Sequence, residues 1–315
     1  MNEAKHIWWS GPIGGLGNRL IAIAAARACV PDRPINFHWI NDASCPGEFH
    51  DLFKASPDWI VSPTPSSNCV MVETHPWEPF SIYEAFNDRL ALGLSSAEFS
   101  HRFIHTLRTL PFKDEFPQHA KVWRDSFKSD RLTGVHLRRT DRAELHRKQF
   151  RAFLLRKQGL NRELPFYLNA MYGLLPEAIV HQYENVTIGM LLRKHQTHSY
   201  VLFSDSAASV AAFDGIVQKI GIKKASISDR IDNSAEFALR ETSLKGALLE
   251  LLCLAQCNTI VQSNRASTFS LVAAIIGAKP ILTPQTRYPF WQTIEAQTGY
   301  MANSPVFSVT NTKSN

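Results

Sequence analysis

The sequence has no run of about 18 uncharged apolar residues, the length a helix needs to cross a bilayer. Its longest apolar runs, Leu20–Ala26 and Leu271–Ala278, are short and read as buried helix. The amino terminus, Met1 to His6, lacks the apolar core of a signal peptide, so a cytoplasmic protein without a transmembrane segment is expected. Cysteine is scarce and scattered: Cys29, Cys45, Cys69, Cys253 and Cys257. Cys253 and Cys257 stand close in the apolar stretch Leu248–Cys257, but no further Cys or His lies nearby to complete a zinc site, and buried free thiols are expected. No Asp-x-Asp pair occurs, so the common device for gripping a diphosphate through a metal ion is missing. Any anionic ligand is left to arginines and backbone N–H groups, and neither a metal nor a cofactor is expected. The chain also lacks Gly-Lys-Ser/Thr, which excludes a P-loop. It lacks G-x-G-x-x-G, since from Gly15 only Gly17 fits and the third position is Leu20. A Ser-His-Asp pattern with nucleophile-elbow glycines is missing too, as are internal repeats.

What is present is an ordinary globular mixture. The chain has 315 residues, 44% hydrophobic and 20% charged, enough for about two domains with full cores. Only the Ser/Thr/Asn/Lys tail from Asn311 reads as disordered. The formal charge of +6 is unevenly spread: between Arg138 and Arg162 lie nine Lys/Arg against two acids, Asp141 and Glu144. Such a block suits an anionic ligand, nucleic acid or a solvated helix face. Few aromatics interleave with it, and Phe150 and Phe153 read as a helix face, which argues against nucleic acid.

Strand and helix patterns alternate, and the alternation begins twice. Ile7–Ser10 reads as a strand running through a Gly-rich turn into an Ala/Ile-rich helix that ends near Val30. Ile35–Ile40 is the next strand, Asp42–Pro79 reads as irregular, and Ala97–Leu110 as a helix. Leu132–Leu137 is a second opening strand, followed by a basic helical region over Ala143–Leu175. Further strands are expected at Tyr200–Ser204, Ala225–Ser228, Thr259–Gln262 and Lys279–Leu282. Helices are expected at Ser206–Ile220, Ser243–Gln256, Ser267–Gly277 and Pro289–Gly299. This order predicts an α/β protein with two parallel sheets joined near Lys128–Thr133. The expected division is a first Rossmann-like domain over 1–130, a second over 131–285, and a helix returning to the first domain plus a tail over 286–315.

In doubly wound sheets, ligands sit beyond the carboxyl ends of the strands. Four segments fall there: Asn18 with Arg19, Arg138 to Asp141, Asp205 with Ser206, and Ser263 to Ser270. A guanidinium binds phosphate oxygens in two-pronged fashion and keeps its proton, so Arg138 or Arg139 suits a phosphate while Asp141 anchors the loop. The glycines from Gly11 to Gly17 serve either ligand contact or tight-turn geometry. Ser267 caps a helix, contributes to an anion site at its start, or does both. Asp205 caps the helix after it or accepts hydrogen bonds from a base edge or ribose.

In order, Gly14-Gly15-Leu16-Gly17-Asn18-Arg19, His136-Leu137-Arg138-Arg139-Thr140-Asp141, Phe203-Ser204-Asp205-Ser206 and Ser263 to Ser270 resemble the GDP-fucose-dependent fucosyltransferases, both the nodulation α1,6-fucosyltransferases and the protein O-fucosyltransferases. The resemblance spans about Ile7 to Leu282. It implies a GT-B fold, with two Rossmann-like domains, the first on the acceptor side and the second holding the donor, facing across a cleft, and an inverting, metal-independent transfer of fucose from GDP-fucose to a glycan or other hydroxyl acceptor. By that resemblance, Arg138 or Arg139 holds the β-phosphate as it leaves and Asp141 orients the loop. Asp205, with Ser206 beside it, helps hold the guanosine. Ser267, Thr268, Phe269 and Ser270 line the diphosphate at their helix start. Asn18, in a turn with Gly15 and Gly17, approaches the diphosphate or the reacting sugar, and His136 belongs to the donor site. A protein that binds nucleotide sugar or glycan without transferring it is the alternative, and nucleic-acid binding is a weaker one.

Overall fold

The computed structural model describes residues 6–65, 69–74, 78–127, 131–137, 177–195, 197, 199–204, 211, 213–214, 223–224, 243–262, 267–282, 293–294 and 297–298. Strands β1 (His6–Trp9), β2 (Ile35–Phe37), β3 (Trp59–Val61) and β4 (Cys69–Val72) form a parallel sheet in the order β3-β2-β1-β4. Strands β5 (Leu132–Leu137), β6 (Ser199–Ser204), β7 (Lys223–Lys224), β8 (Thr259–Gln262) and β9 (Ile281–Leu282) form a second, in the order β7-β6-β5-β8-β9. In each sheet the strand that opens the unit lies inside, with its sequence neighbour on one side and a later strand on the other. The order therefore reverses at β1 and at β5, and their carboxyl ends are topological switch points.

The helices are α1 (Leu16–Cys29), α2 (Phe49–Leu52), α3 (Pro79–Leu90), α4 (Ser96–Arg108), α5 (Glu115–Asp125), α6 (Glu177–Lys194), α7 (Leu244–Gln256) and α8 (Thr268–Gly277). Serines start three of them: Ser95, Ser243 and Ser267 accept from the backbone N–H three residues on, which satisfies one of the donors left open at a helix start. Helix α1 is buried almost all round, because Ala22, Ala24, Ala25 and Ala26, each at 0% exposure, let neighbours approach from several sides. It packs on α3 and α4 of its own half and on α8 of the other, while α5 packs on α7. One core therefore runs from Ile7, Trp9 and Phe37 of the first sheet, through these helices, to Leu132, Val201, Phe203 and Ile260 of the second. A smaller core, with Val135, Leu137, Leu202 and Val261, covers the opposite face of the second sheet with Ile188 and Leu192 of α6. Gln297 reaches α4, where its amide bonds Ser96 and Ser100. Among the described residues no helix is long and apolar enough to cross a membrane.

The sequence pattern departs from the structure mainly between Asp42 and Pro79. Expected to be irregular, this stretch contains α2, β3 and β4. The two strands are three and four residues long and carry little pattern of their own. Their register on β2 and β1 makes them strands, with Trp59 docking beside Phe37 and Phe49. Helices α3, α5 and α6 lie where the sequence pattern predicts none, and β2 stops at Phe37 rather than Ile40. The basic stretch 143–175, the strand Ala225–Ser228, residues 128–130 of the join and the tail lie outside the described residues. So does most of the helix expected over Ser206–Ile220.

Candidate functional site

Beyond Trp9 the chain turns through residues 10–15 into α1. Gly14 takes a φ of +85° there, a conformation that side chains resist. Gly15 is the N-cap of α1 and brings no side chain to cap it, so the first N–H groups of this helix lack a side-chain acceptor. On the other half, β8 leads to α8, whose N-cap Ser267 accepts from Ser270 N at 3.5 Å.

These two helix starts touch. Thr268 Oγ1 donates to Asn18 Oδ1 at 2.7 Å, across 250 residues of sequence. A Cβ added to Gly17 would stand 2.7 Å from Phe269 N and 2.9 Å from Thr268 Oγ1. The approach therefore exists because residue 17 has no side chain. Two positive helix-dipole ends converge at the carboxyl edges of both sheets, a favourable place for an anion. With Oδ1 of Asn18 held by Thr268, the amide nitrogen Nδ2 is the group this side chain still has to offer, and it is a donor.

His136 joins the second sheet to the same helix start. Its Nδ1 lies 2.6 Å from Ser270 Oγ and 3.2 Å from Ser267 Oγ. Its ring stacks on Phe269, with centroids 4.9 Å apart and planes 22° apart. A hydrogen on Nδ1 donates to Ser270; with the hydrogen on Nε2, the serine hydroxyl donates to Nδ1. Either way, β5 is bolted to the first turn of α8 at the point where the arginine motif begins.

Solvent separates these residues into two groups. Ser267, Thr268 and Ser270 are at 1%, 4% and 0% exposure, and His136 and Phe269 are also buried. Gly15 and Asn18 are partly open. The hydroxyls are thus turned inward in this structure, while Asn18 and Gly15 reach solvent. Arg138, Arg139, Thr140, Asp141, Glu144, Asp205, Ser206 and residues 263–266 lie outside the described residues. The strands that carry these segments, β5, β6 and β8, are adjacent and parallel, so their carboxyl ends share one edge with His136.

The residue that sequence reasoning missed is Arg19. Its place with Asn18 beyond β1 predicts a ligand contact, yet its side chain is fully buried and held by Gly14, Ile40 and Asp42. The signal was available: a lone arginine within the apolar start of a helix needs a partner if it is to be buried. The five cysteines are free thiols, and Cys29, Cys45, Cys253 and Cys257 are buried. Burial pushes the Cys29 and Cys257 thiols up to about 12, so they are poor nucleophiles at neutral pH.

The architecture has solved counterparts. POFUT1 in complex with GDP-fucose is similar at 12% identity and a TM-score of 0.51, over 90% of this chain and 98% of the other. The fucosyltransferase NodZ from Bradyrhizobium is similar at 14% identity and a TM-score of 0.53, over 89% and 96%. The chain has the fold of these fucosyltransferases. NodZ α-1,6-fucosyltransferase co-crystallised with GDP gives 14% identity and a TM-score of 0.52, over 90% and 97%. The two-sheet, Rossmann-like GT-B arrangement expected from the motifs is thus the one observed. No protein-family model matches the sequence, and no curated protein matches it.

Proposed function

We propose that the chain is a glycosyltransferase that holds a GDP-sugar where α1 and α8 meet and transfers fucose to a hydroxyl of a glycan or similar acceptor. The observation that carries this reading is the joint between Asn18 and Thr268, which brings two helix starts together at the carboxyl edges of both sheets. The shared fold supports it, because the similar structures include one with GDP-fucose and one with GDP.

The chemistry follows from where charge develops. Breaking the sugar–phosphate bond puts negative charge on the β-phosphate and oxocarbenium character on the sugar. Arg138 or Arg139, directly after β5, stabilises the leaving phosphate, and Asp141 orients the loop that carries the pair. Asn18 Nδ2 and the first N–H groups of α1 approach from the other half. Buried Ser267, Thr268 and Ser270 hold the first turn of α8 in place, and Asp205 with Ser206 receives the nucleoside. The acceptor hydroxyl attacks from the face opposite the leaving group and gives its proton to a carboxylate or histidine acting as base, so the anomeric centre inverts, and the fixed cations remove the need for a metal ion.

The test has two stages. A thermal-shift panel of GDP, UDP and CMP sugars should show stabilisation by the guanosine compounds and should be unaffected by EDTA. Release of GDP from GDP-fucose in the presence of a hydroxyl acceptor then separates transfer from binding alone. Arg138→Ala should cut turnover about 100-fold or more, as loss of one preorganised charge donor does. Unchanged donor binding and turnover in that variant would remove Arg138 from the mechanism.

A further inference from the structure

Arg19 follows Asn18 directly, at a helix start suited to anions, and its charge is nevertheless withheld from any ligand. The side chain is at 0% exposure. Its Nε donates to Gly14 O at 2.7 Å, one Nη donates to Ile40 O at 2.5 Å, and the other meets Asp42 Oδ2 at 3.1 Å. The guanidinium carbon lies 4.7 Å from the centroid of the Trp39 ring. Asp42 is equally committed. Its second oxygen accepts from Ser44 N at 2.8 Å, Ser44 Oγ at 2.6 Å and Cys45 N at 3.1 Å. Trp39 is fixed in turn by its indole N–H, which donates to Gly47 O at 2.9 Å.

We infer that Arg19 is a positioning residue whose guanidinium locks the turn after β1 to the loop after β2, and thereby sets Asn18 at the joint with α8. The inference rests on the reading of that joint as the donor site. The physical reason is geometric. The carbonyls of Gly14 and Ile40 and the carboxylate of Asp42 approach from different directions, and a planar group with five donors meets all three together. An ammonium on a lysine stem offers one point charge and no fork, so it cannot hold both loops in this arrangement. Gly14 is one of two glycines at positive φ in this turn, with Gly11, and its carbonyl is the acceptor that Arg19 claims, so the arginine clamps the second of these bends directly before the helix. Asp42, with both oxygens engaged, serves the clamp and is not free to act as a general base.

The test compares Arg19→Lys and the milder Asp42→Asn with a remote control, Phe103→Leu, in the buried face of α4. Three quantities are read on the full chain: amide hydrogen exchange over residues 11–18 and 39–45, melting temperature, and the dissociation constant for GDP. In Arg19→Lys, exchange should rise in both loops together while α4 stays protected. The GDP dissociation constant should rise about tenfold, the size expected when one well-placed donor to an anion is displaced. Asp42→Asn should move the same two loops by less. Phe103→Leu should lower the melting temperature and leave GDP affinity unchanged. Wild-type exchange in both loops of Arg19→Lys would overturn the inference, and so would equal weakening of GDP by Phe103→Leu. If the wild-type chain itself fails to bind GDP, the donor reading falls, and the exchange measurement still decides the role of Arg19.

Discussion

Gly17→Ala adds one methyl group at the point where the two halves of the chain touch. The new carbon would lie 2.7 Å from Phe269 N, about 0.7 Å inside the 3.4 Å at which ordinary contact begins. The obstacle is the backbone of α8, which cannot swing aside as a flexible side chain would. The helix starts must therefore separate, and the 2.7 Å bond between Thr268 and Asn18 lengthens past useful range. Two energies compete. Alanine within a helix is better than glycine by about 1 kcal/mol. Overpacking a close contact costs about 1–3 kcal/mol. The net effect on folding is then small, a loss of about 0–2 kcal/mol, while the effect on the joint is large. Calorimetric titration with GDP should show affinity lower by about tenfold or more, with urea unfolding shifted only slightly. Thr268→Val removes the hydroxyl without wedging the helices apart, so it should weaken GDP less than Gly17→Ala. A Gly17→Ala protein that is more stable than wild type and binds GDP equally well would refute the contact, because the propensity gain would then stand unopposed.

Two further outcomes follow from buried groups. His136→Phe keeps the stack on Phe269 but leaves the hydroxyls of Ser267 and Ser270 without the ring nitrogen, at a cost of about 1–3 kcal/mol in urea unfolding; unchanged stability would show that the serines satisfy one another. The thiols of Cys29 and Cys257 are raised from 9.0 to about 12 by burial, so the unfolded chain loses these protons first as pH rises. The contribution of these two thiols should be constant below about pH 9 and fall between about 9 and 12, by at most about 1.4 kcal/mol per pH unit for each thiol. Urea midpoints at pH 8.5 and 10.5 check this, and Cys257→Ala should flatten the slope.

The sequence alone determined the alternation of strands and helices, the double start at β1 and β5, and the segments that follow β1, β5, β6 and β8. These were legible because each is local. An apolar run of strand length ends at a turn residue, and Ser243 and Ser267 mark helix starts through hydrogen bonds that span three residues. The tertiary structure decided β3 and β4, since strands of three and four residues carry too little pattern and are made by pairing with β2 and β1. It also decided the division of labour in the site. Nothing local says that Thr268 bonds Asn18, that Gly17 is bare to admit Phe269, or that the hydroxyls of Ser267 and Ser270 turn inward to His136. Arg19 shows the same limit most clearly. Its charge beside Asn18 suggests a ligand contact in sequence, and only the arrival of Ile40 and Asp42 from another loop turns that charge inward, because a buried guanidinium must meet acceptors that the neighbouring residues cannot all provide.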